Sequence, residues 1–286
     1  MKEKNIEVLE DDKLIGILKS ELADYSVKKI KKLIKYEMVS VDGKMITNAS
    51  VVVFKGSIVH VSFSKQVLPQ TDLNIIYEDT DIIVIDKPAG LLSIGNGKER
   101  NVTAYRMVSD YIKKENKRNK LFVVHRLDQG TSGVLLFAKN EVIKHKLQDN
   151  WNERVVKREY VAVVEGKMPK YGTIESYLTM NKAQIVHSTH DSENGWYAVT
   201  HYKTISCKNG YSLLEVNIDT GRRNQIRVHM SEAGHSVVGD KKYKAKTNPI
   251  GRLALHASKL YIIDPRTKKL LKLETKTPAS IVNLVK

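Results

Sequence analysis

From about residue 74 onward, short β-prone runs interleave with short amphipathic stretches, and no regular strand–helix–strand rhythm links them. LNIIYED and DIIVIDKP read as paired strands, and NVTAYRMVSDYIKKEN reads as a helix capped near Asn101 or Thr103. LFVV and VLLFAK are strands, EVIKHKLQDNW a helix and REYVAVVEG a strand. YSLLEVNID follows as a strand, RNQIRVHMSEAG as a helix ending near Gly234, and LALHASKLYIID as a mixed run. This irregular order argues against a doubly wound parallel sheet. It predicts an α+β fold around a mixed, mostly antiparallel sheet.

A smaller unit precedes it. Residues 13–61 combine helical periodicity in LIGILKSELADYSVKKIKKLIKYEMV with β-branched runs in VSVDGKMI and VVVFKGSIVHV, and Asp42-Gly43 suits a tight turn between such segments. On the SVKKIKKLIKY helix, Val27, Ile30 and Ile34 can face a core while Lys28, Lys31, Lys32 and Lys35 populate the other side. No acid interrupts those lysines, so the face suits phosphate better than it suits simple solvation. Residues 1–12 read as a polar tail, 62–73 as a linker carrying Pro69, and 74–286 as the larger domain.

The formal charge of +16 favours a polyanionic partner, nucleic acid above all. No apolar run approaches the roughly 18 residues of a membrane span, and the polar N-terminus lacks a signal-peptide core, so a soluble, cytoplasmic protein is expected. Monomer is the default. The lone Cys207 excludes an internal disulfide and any multi-cysteine zinc site. The closest histidine pair, His187 and His190 in HSTH, reads as loop rather than as metal ligands, and no metal is expected.

Three stretches concentrate chemistry. HRLDQGTSG, residues 125–133, sets His125, Arg126, Asp128, Thr131 and two glycines between the apolar runs LFVV and VLLFA, far more than a turn requires. His125 and His256 are candidate groove contacts, though packing suits each of them better. KREYVAVVEG places Tyr160 just before an alternating strand, where its ring could fill a core or stack on an extruded base. TGRRNQIRVHMSEAG carries Arg222, Arg223 and Arg227 with no acid through His229. On one helix, Arg223 and Arg227 would stand a turn apart, with Ile226 and Met230 on another face. Lys87-Pro88 in DKPAG reads as a strand-ending turn.

Taken together, DKPAGLLSI, HRLDQGTSGVLLFAKN, KREYVAVVEG, TGRRNQIRVH and RLALHASKLYI resemble the RluA-type pseudouridine synthases, in that family's order, over roughly residues 75–265. The N-terminal unit resembles the small S-four RNA-binding domain that precedes many RNA-modifying enzymes. Arg223-Asn224 stand where Thr-His is common in the family, and GDKKYK lacks the glycine that usually follows its tyrosine. The resemblance implies a pseudouridine synthase fold with a basic groove. It further implies that Asp128 is the catalytic aspartate, Tyr160 the ring that stacks on the uracil and Arg227 the partner of the aspartate. Arg126 matches a residue that displaces bases around the flipped nucleotide, and Ile226 an apolar position under the site. His125, Thr131, Arg222 and Arg223 join the expected RNA contacts, with Lys28, Lys31, Lys32 and Lys35 in the smaller unit.

The implied reaction breaks the sugar–N1 bond of uridine, turns the base and joins the sugar to carbon five. Nothing is oxidised or added, so no cofactor is expected. It needs a carboxylate at the anomeric side of the sugar, as nucleophile or as base at the neighbouring carbon. Ribosomal RNA is favoured over transfer RNA as substrate, because the extra N-terminal module is frequent among the family's large-subunit modifiers. The competing reading is a non-catalytic RNA-binding or ribosome-assembly factor on the same fold.

Overall fold

The computed structural model describes residues 3–35, 38–46, 48–63, 73–95 and 102–286. It divides into a unit spanning Met1–Thr71 and a larger one spanning Asp72–Lys286.

The first unit contains β1 (Glu3–Glu7), β2 (Asp12–Lys13), α1 (Leu14–Glu21), α2 (Val27–Lys35), β3 (Val39–Val41), β4 (Lys44–Met45), β5 (Val52–Val53) and β6 (Ile58–Ser62). Its main sheet runs β1-β6-β3-β4, and β2 pairs with β5. Residues 3–7 are therefore not a tail. β1 pairs along β6, and Ile6 and Val8 enter the core with Leu14, Leu18, Ile30 and Ile34. Alternation with charged neighbours hid this strand, because only its inward face is apolar. On α2, Ile30 and Ile34 are buried as their spacing requires, but Val27, expected to face the core, is 43% exposed. Lys28, Lys31 and Lys32 are exposed. The side chain of Lys35 and most of the expected linker lie outside the described residues.

The larger unit is an 11-stranded sheet. In chain order it holds β7 (Ile75–Glu78), β8 (Ile82–Lys87), α3 (Ala104–Glu115), β9 (Phe122–Val123), β10 (Ser132–Ala138), α4 (Glu141–Gln148), α5 (Trp151–Arg154) and β11 (Val155–Glu165). There follow β12 (Tyr171–Met180), β13 (Val186–Thr189), β14 (Trp196–Lys208), β15 (Tyr211–Ile218), α6 (Gln225–Glu232), β16 (Leu255–Ile263), β17 (Leu270–Glu274) and α7 (Ala279–Val282). The strand order is β13-β12-β14-β15-β11-β16-β10-β8-β7, with β17 on β16 and β9 on β10. Among the described residues, every pairing between strands of this sheet is antiparallel except β10 with β16. The α+β reading and the mostly antiparallel sheet hold, and HSTH, expected as loop, largely forms β13 against β12.

β10 shows why the site sits where it does. All seven of its residues are buried. Val134, Leu136 and Ala138 pack to one side with α4, while Leu135 and Phe137 pack to the other with α3. A strand covered on both faces reads as a continuous apolar run, and VLLFA is one. At its start, Gly133 (φ +114°) lies against β16, where a Cβ would fall 2.1 Å from the Ala257 carbonyl oxygen. That glycine permits the parallel contact of β10 with β16, so the loop before it emerges beside β16 and β11.

Candidate active site

Asp128 stands on the loop from β9 to β10, and the turn after β8 holds that loop. Leu127 donates its amide to Ser93 Oγ at 3.0 Å, and Ser93 Oγ donates to the Leu127 carbonyl at 2.7 Å. Gly90 donates its amide to the Gln129 carbonyl at 2.8 Å, and Gln129 Nε2 returns a bond to the Gly90 carbonyl at 3.0 Å. Fully buried Lys87 lies beneath, its Nζ donating to the carbonyls of Pro88, Leu91 and Gln129. Burial pushes its ammonium down to about 7, while the Asp128 carboxylate acts the other way. Lys87 was legible only as a turn residue; it ties that turn to the loop carrying Asp128.

Arg227 reaches Asp128 from the first turn of α6. Its Nη1 donates to Asp128 Oδ2 at 3.1 Å and to Asn224 Oδ1 at 2.9 Å. Nε and Nη2 donate to the two oxygens of Asp240, at 2.6 and 2.8 Å. The Asp240 side chain is 1% exposed, against 25% for Asp128. Burial works against the Arg227 charge, but the bonds and charges of Asp240 and Asp128 outweigh it and raise its pKa above the ordinary value. The paired, two-bond geometry belongs to Asp240, so Asp240 sets the guanidinium plane and Asp128 receives one N–H. The Tyr243 ring covers the guanidinium at 5.0 Å, and its hydroxyl accepts from Asn224 Nδ2 at 3.0 Å.

Sequence reasoning missed Asp240, Asn224 and Tyr243. Asn224 precedes α6 with φ 56°, a left-handed conformation that asparagine tolerates better than most residues. This breaks the expected helix. Arg223 therefore lies before it, not one turn from Arg227 on a common face, and its Nη1 is 3.3 Å from Met180 Sδ. The loop ahead of α6 is fastened by buried Gln225, whose Nε2 donates to the Val199 carbonyl at 2.8 Å and whose Oε1 accepts from the Arg222 amide at 3.0 Å.

Asp128, Tyr160 and Arg227 line one cleft with Arg126, Thr131, Arg222 and Ile226. Tyr160 lies within β11, not before it, opposite Ala257 of β16, and packs against two of the hydrophobic clusters of this unit. Burial pushes its phenol up to about 12, with Arg158 opposing and Asp128 reinforcing. Near neutral pH it presents an uncharged ring rather than a base. Buried Ile226 gives the cleft an apolar floor.

His125 is not in the cleft. Its Nε2 accepts from the Leu136 amide at 3.1 Å and its ring meets Trp151 at 5.2 Å. Burial, then Arg158, pushes it down to about 4, as an acceptor nitrogen requires. His125 is thus a strut between the loop and β10. His229 is held by Thr200 and Ser176, and His256 by Ser132. Both are structural.

With this geometry the comparisons are decisive. The profile described as RNA pseudouridylate synthase matches residues 81–232. The chain belongs to that family. It is 32% identical over 99% of its length, and 97% of the relative's, to "Uncharacterized RNA pseudouridine synthase YhcT" of Bacillus subtilis. It is 30% identical to "Ribosomal large subunit pseudouridine synthase D" of Haemophilus ducreyi, covering 92% of this chain and 86% of that one. The structure called "Human RNA Pseudouridylate Synthase Domain Containing 4" shares the fold, with a TM-score of 0.60 at 24% identity over 74% of this chain and 91% of that one. This pseudouridine synthase is an RluA-type isomerase acting on RNA. Among the described residues, no helix is long and apolar enough to cross a membrane.

Proposed function

We propose that the chain converts specific uridines of ribosomal RNA to pseudouridine, with Asp128 as the catalytic carboxylate. The observation that carries this reading is the Asp128 carboxylate, bonded by Arg227 Nη1 at 3.1 Å in a cleft walled by Tyr160 and Ile226. The target leaves its stack, since its glycosidic bond is shielded within a helix. Its uracil then lies on the Tyr160 ring, above Ile226. Arg227 holds Asp128 oriented at the anomeric side of the sugar, for attack as nucleophile or for proton removal as base. Arg126, Arg222 and Arg223 contact the surrounding RNA, while Thr131, expected among the RNA contacts, is buried in the wall of the cleft. The exposed lysines 28, 31 and 32 of α2 add sequence-independent affinity to phosphate, in the manner of an S-four-like module. The relatives named for the large ribosomal subunit support ribosomal over transfer RNA.

The test maps pseudouridine in RNA from cells with and without the gene. The expected outcome is loss at one or a few ribosomal positions, restored by the wild-type chain and not by Asp128→Asn. Losses confined to transfer RNA would overturn the choice of substrate, and no loss anywhere would overturn the proposal.

A further inference from the structure

Trp196 opens β14 opposite Leu178 of β12. Directly opposed residues of an antiparallel pair share a face. Leu178 is fully buried in a cluster with Val228 of α6, so this is the face on which α6 packs. α6 does not cover Trp196, which is 51% exposed. Met180, two residues beyond Leu178 on the same face, is 39% exposed and touches Arg223. The carbonyl of Tyr197, next to Trp196, accepts from Arg222 Nε at 3.0 Å, and Arg222 lines the cleft. An aromatic surface therefore continues the cleft outward within one residue of its wall.

Arg222, Arg223 and Lys242 gather between this patch and the cleft, while the acids Asp191 and Glu193 lie in the turn before β14 and Glu232 is held by Ser188. Arg222 and Arg223 bond a carbonyl and a thioether here, not a carboxylate. Lys242 Nζ donates to the Gln184 carbonyl at 2.8 Å, in the turn between β12 and β13. Burial and the nearby charges of Arg223 and Arg227 lower its pKa. Clustered cations beside an exposed indole suit a phosphate and a base together.

We infer that this patch is a stacking subsite for a nucleotide adjacent to the target uridine, its unpaired base on the Trp196 ring and its phosphate among Arg222, Arg223 and Lys242. The inference rests on the cleft being the uridine site. Extruding one base also strips its neighbours of a stacking partner, and an aromatic platform beside the cleft replaces it.

The test measures binding of the full chain to a uridine hexamer and to an abasic hexamer of the same length, for wild type, Trp196→Ala and Trp196→Phe. Trp196→Ala is expected to weaken the uridine hexamer about 5- to 140-fold, the range of one aromatic–base contact. It should leave the abasic hexamer unchanged, and Trp196→Phe should recover most of the loss. Equal affinity of wild type and Trp196→Ala for the uridine hexamer would overturn the subsite. So would equal losses on both hexamers, which would assign the effect to charge or folding. Pseudouridine formation is read separately. A chain that binds through Trp196 but isomerises no RNA would keep the subsite and overturn the proposed function; the reverse result would do the opposite.

Discussion

Arg227 and Arg223 lie four residues apart and use the same group in opposite ways. Arg227 is enclosed, with Asp240 gripping two of its nitrogens, Asp128 and Asn224 sharing the third, and Tyr243 over its face. Arg223 is exposed and touches a thioether. The turn between them is made by Asn224, whose left-handed backbone starts a new helix and sends one arginine inward and the other to the rim. The lesson is a division of labour. On the proposed mechanism, a guanidinium that orients a reacting carboxylate is held before substrate arrives, so no reorganisation is left for the chemical step. One that meets a phosphate is left free to exchange water and counterions for RNA.

The comparison breaks most visibly at Arg227. Arg227→Ala leaves the buried Asp240 carboxylate unpaired, and thermal or denaturant unfolding should show a loss of about 3–5 kcal/mol. A loss under about 1 kcal/mol would mean that the pair contributes no more than an exposed ion pair does. Asp240→Asn is subtler. It removes the charge that sets the guanidinium plane and frees Arg227 to turn towards Asp128, so kcat is expected to fall about 100-fold, the scale of a small misplacement at a reacting group. RNA affinity should change little, because Asp240 is nearly inaccessible. A normal kcat would show that Asn224 and Tyr243 suffice to hold Arg227. Arg223→Ala should alter neither folding nor kcat at saturation. It should instead reduce the slope of log affinity against log salt by about 0.7, the share of one phosphate contact on a single strand. An unchanged slope would remove Arg223 from the RNA interface.

What could be read in advance follows the same line. The apolar runs disclosed the sheet, because β10 is buried on both faces and β11, β15 and β16 alternate or run apolar. Family motifs pointed to Asp128, Tyr160 and Arg227, and the structure brings them into one cleft. Asp240 escaped notice because an aspartate in GDKKYK looks like a turn residue, and nothing local says that the chain returns to Arg227. His125 was grouped with the site by adjacency in sequence, yet the backbone turns between it and Asp128, and its ring faces β10. β1 was missed because Ile6 and the flanking Val8 and Leu9 are the few apolar residues of a charged segment, and its pairing partner lies more than fifty residues away. In each case the missing information was a long-range contact, which local pattern does not encode.

The central claim is that the Asp128 carboxylate, and no other group in the cleft, acts on the uridine. Wild type and Asp128→Asn should be compared for RNA affinity and pseudouridine formation on the same ribosomal RNA transcript. The expected result is affinity within a few-fold of wild type and turnover lower by at least about 10²- to 10⁴-fold. Pseudouridine formed by Asp128→Asn at the wild-type rate would contradict it.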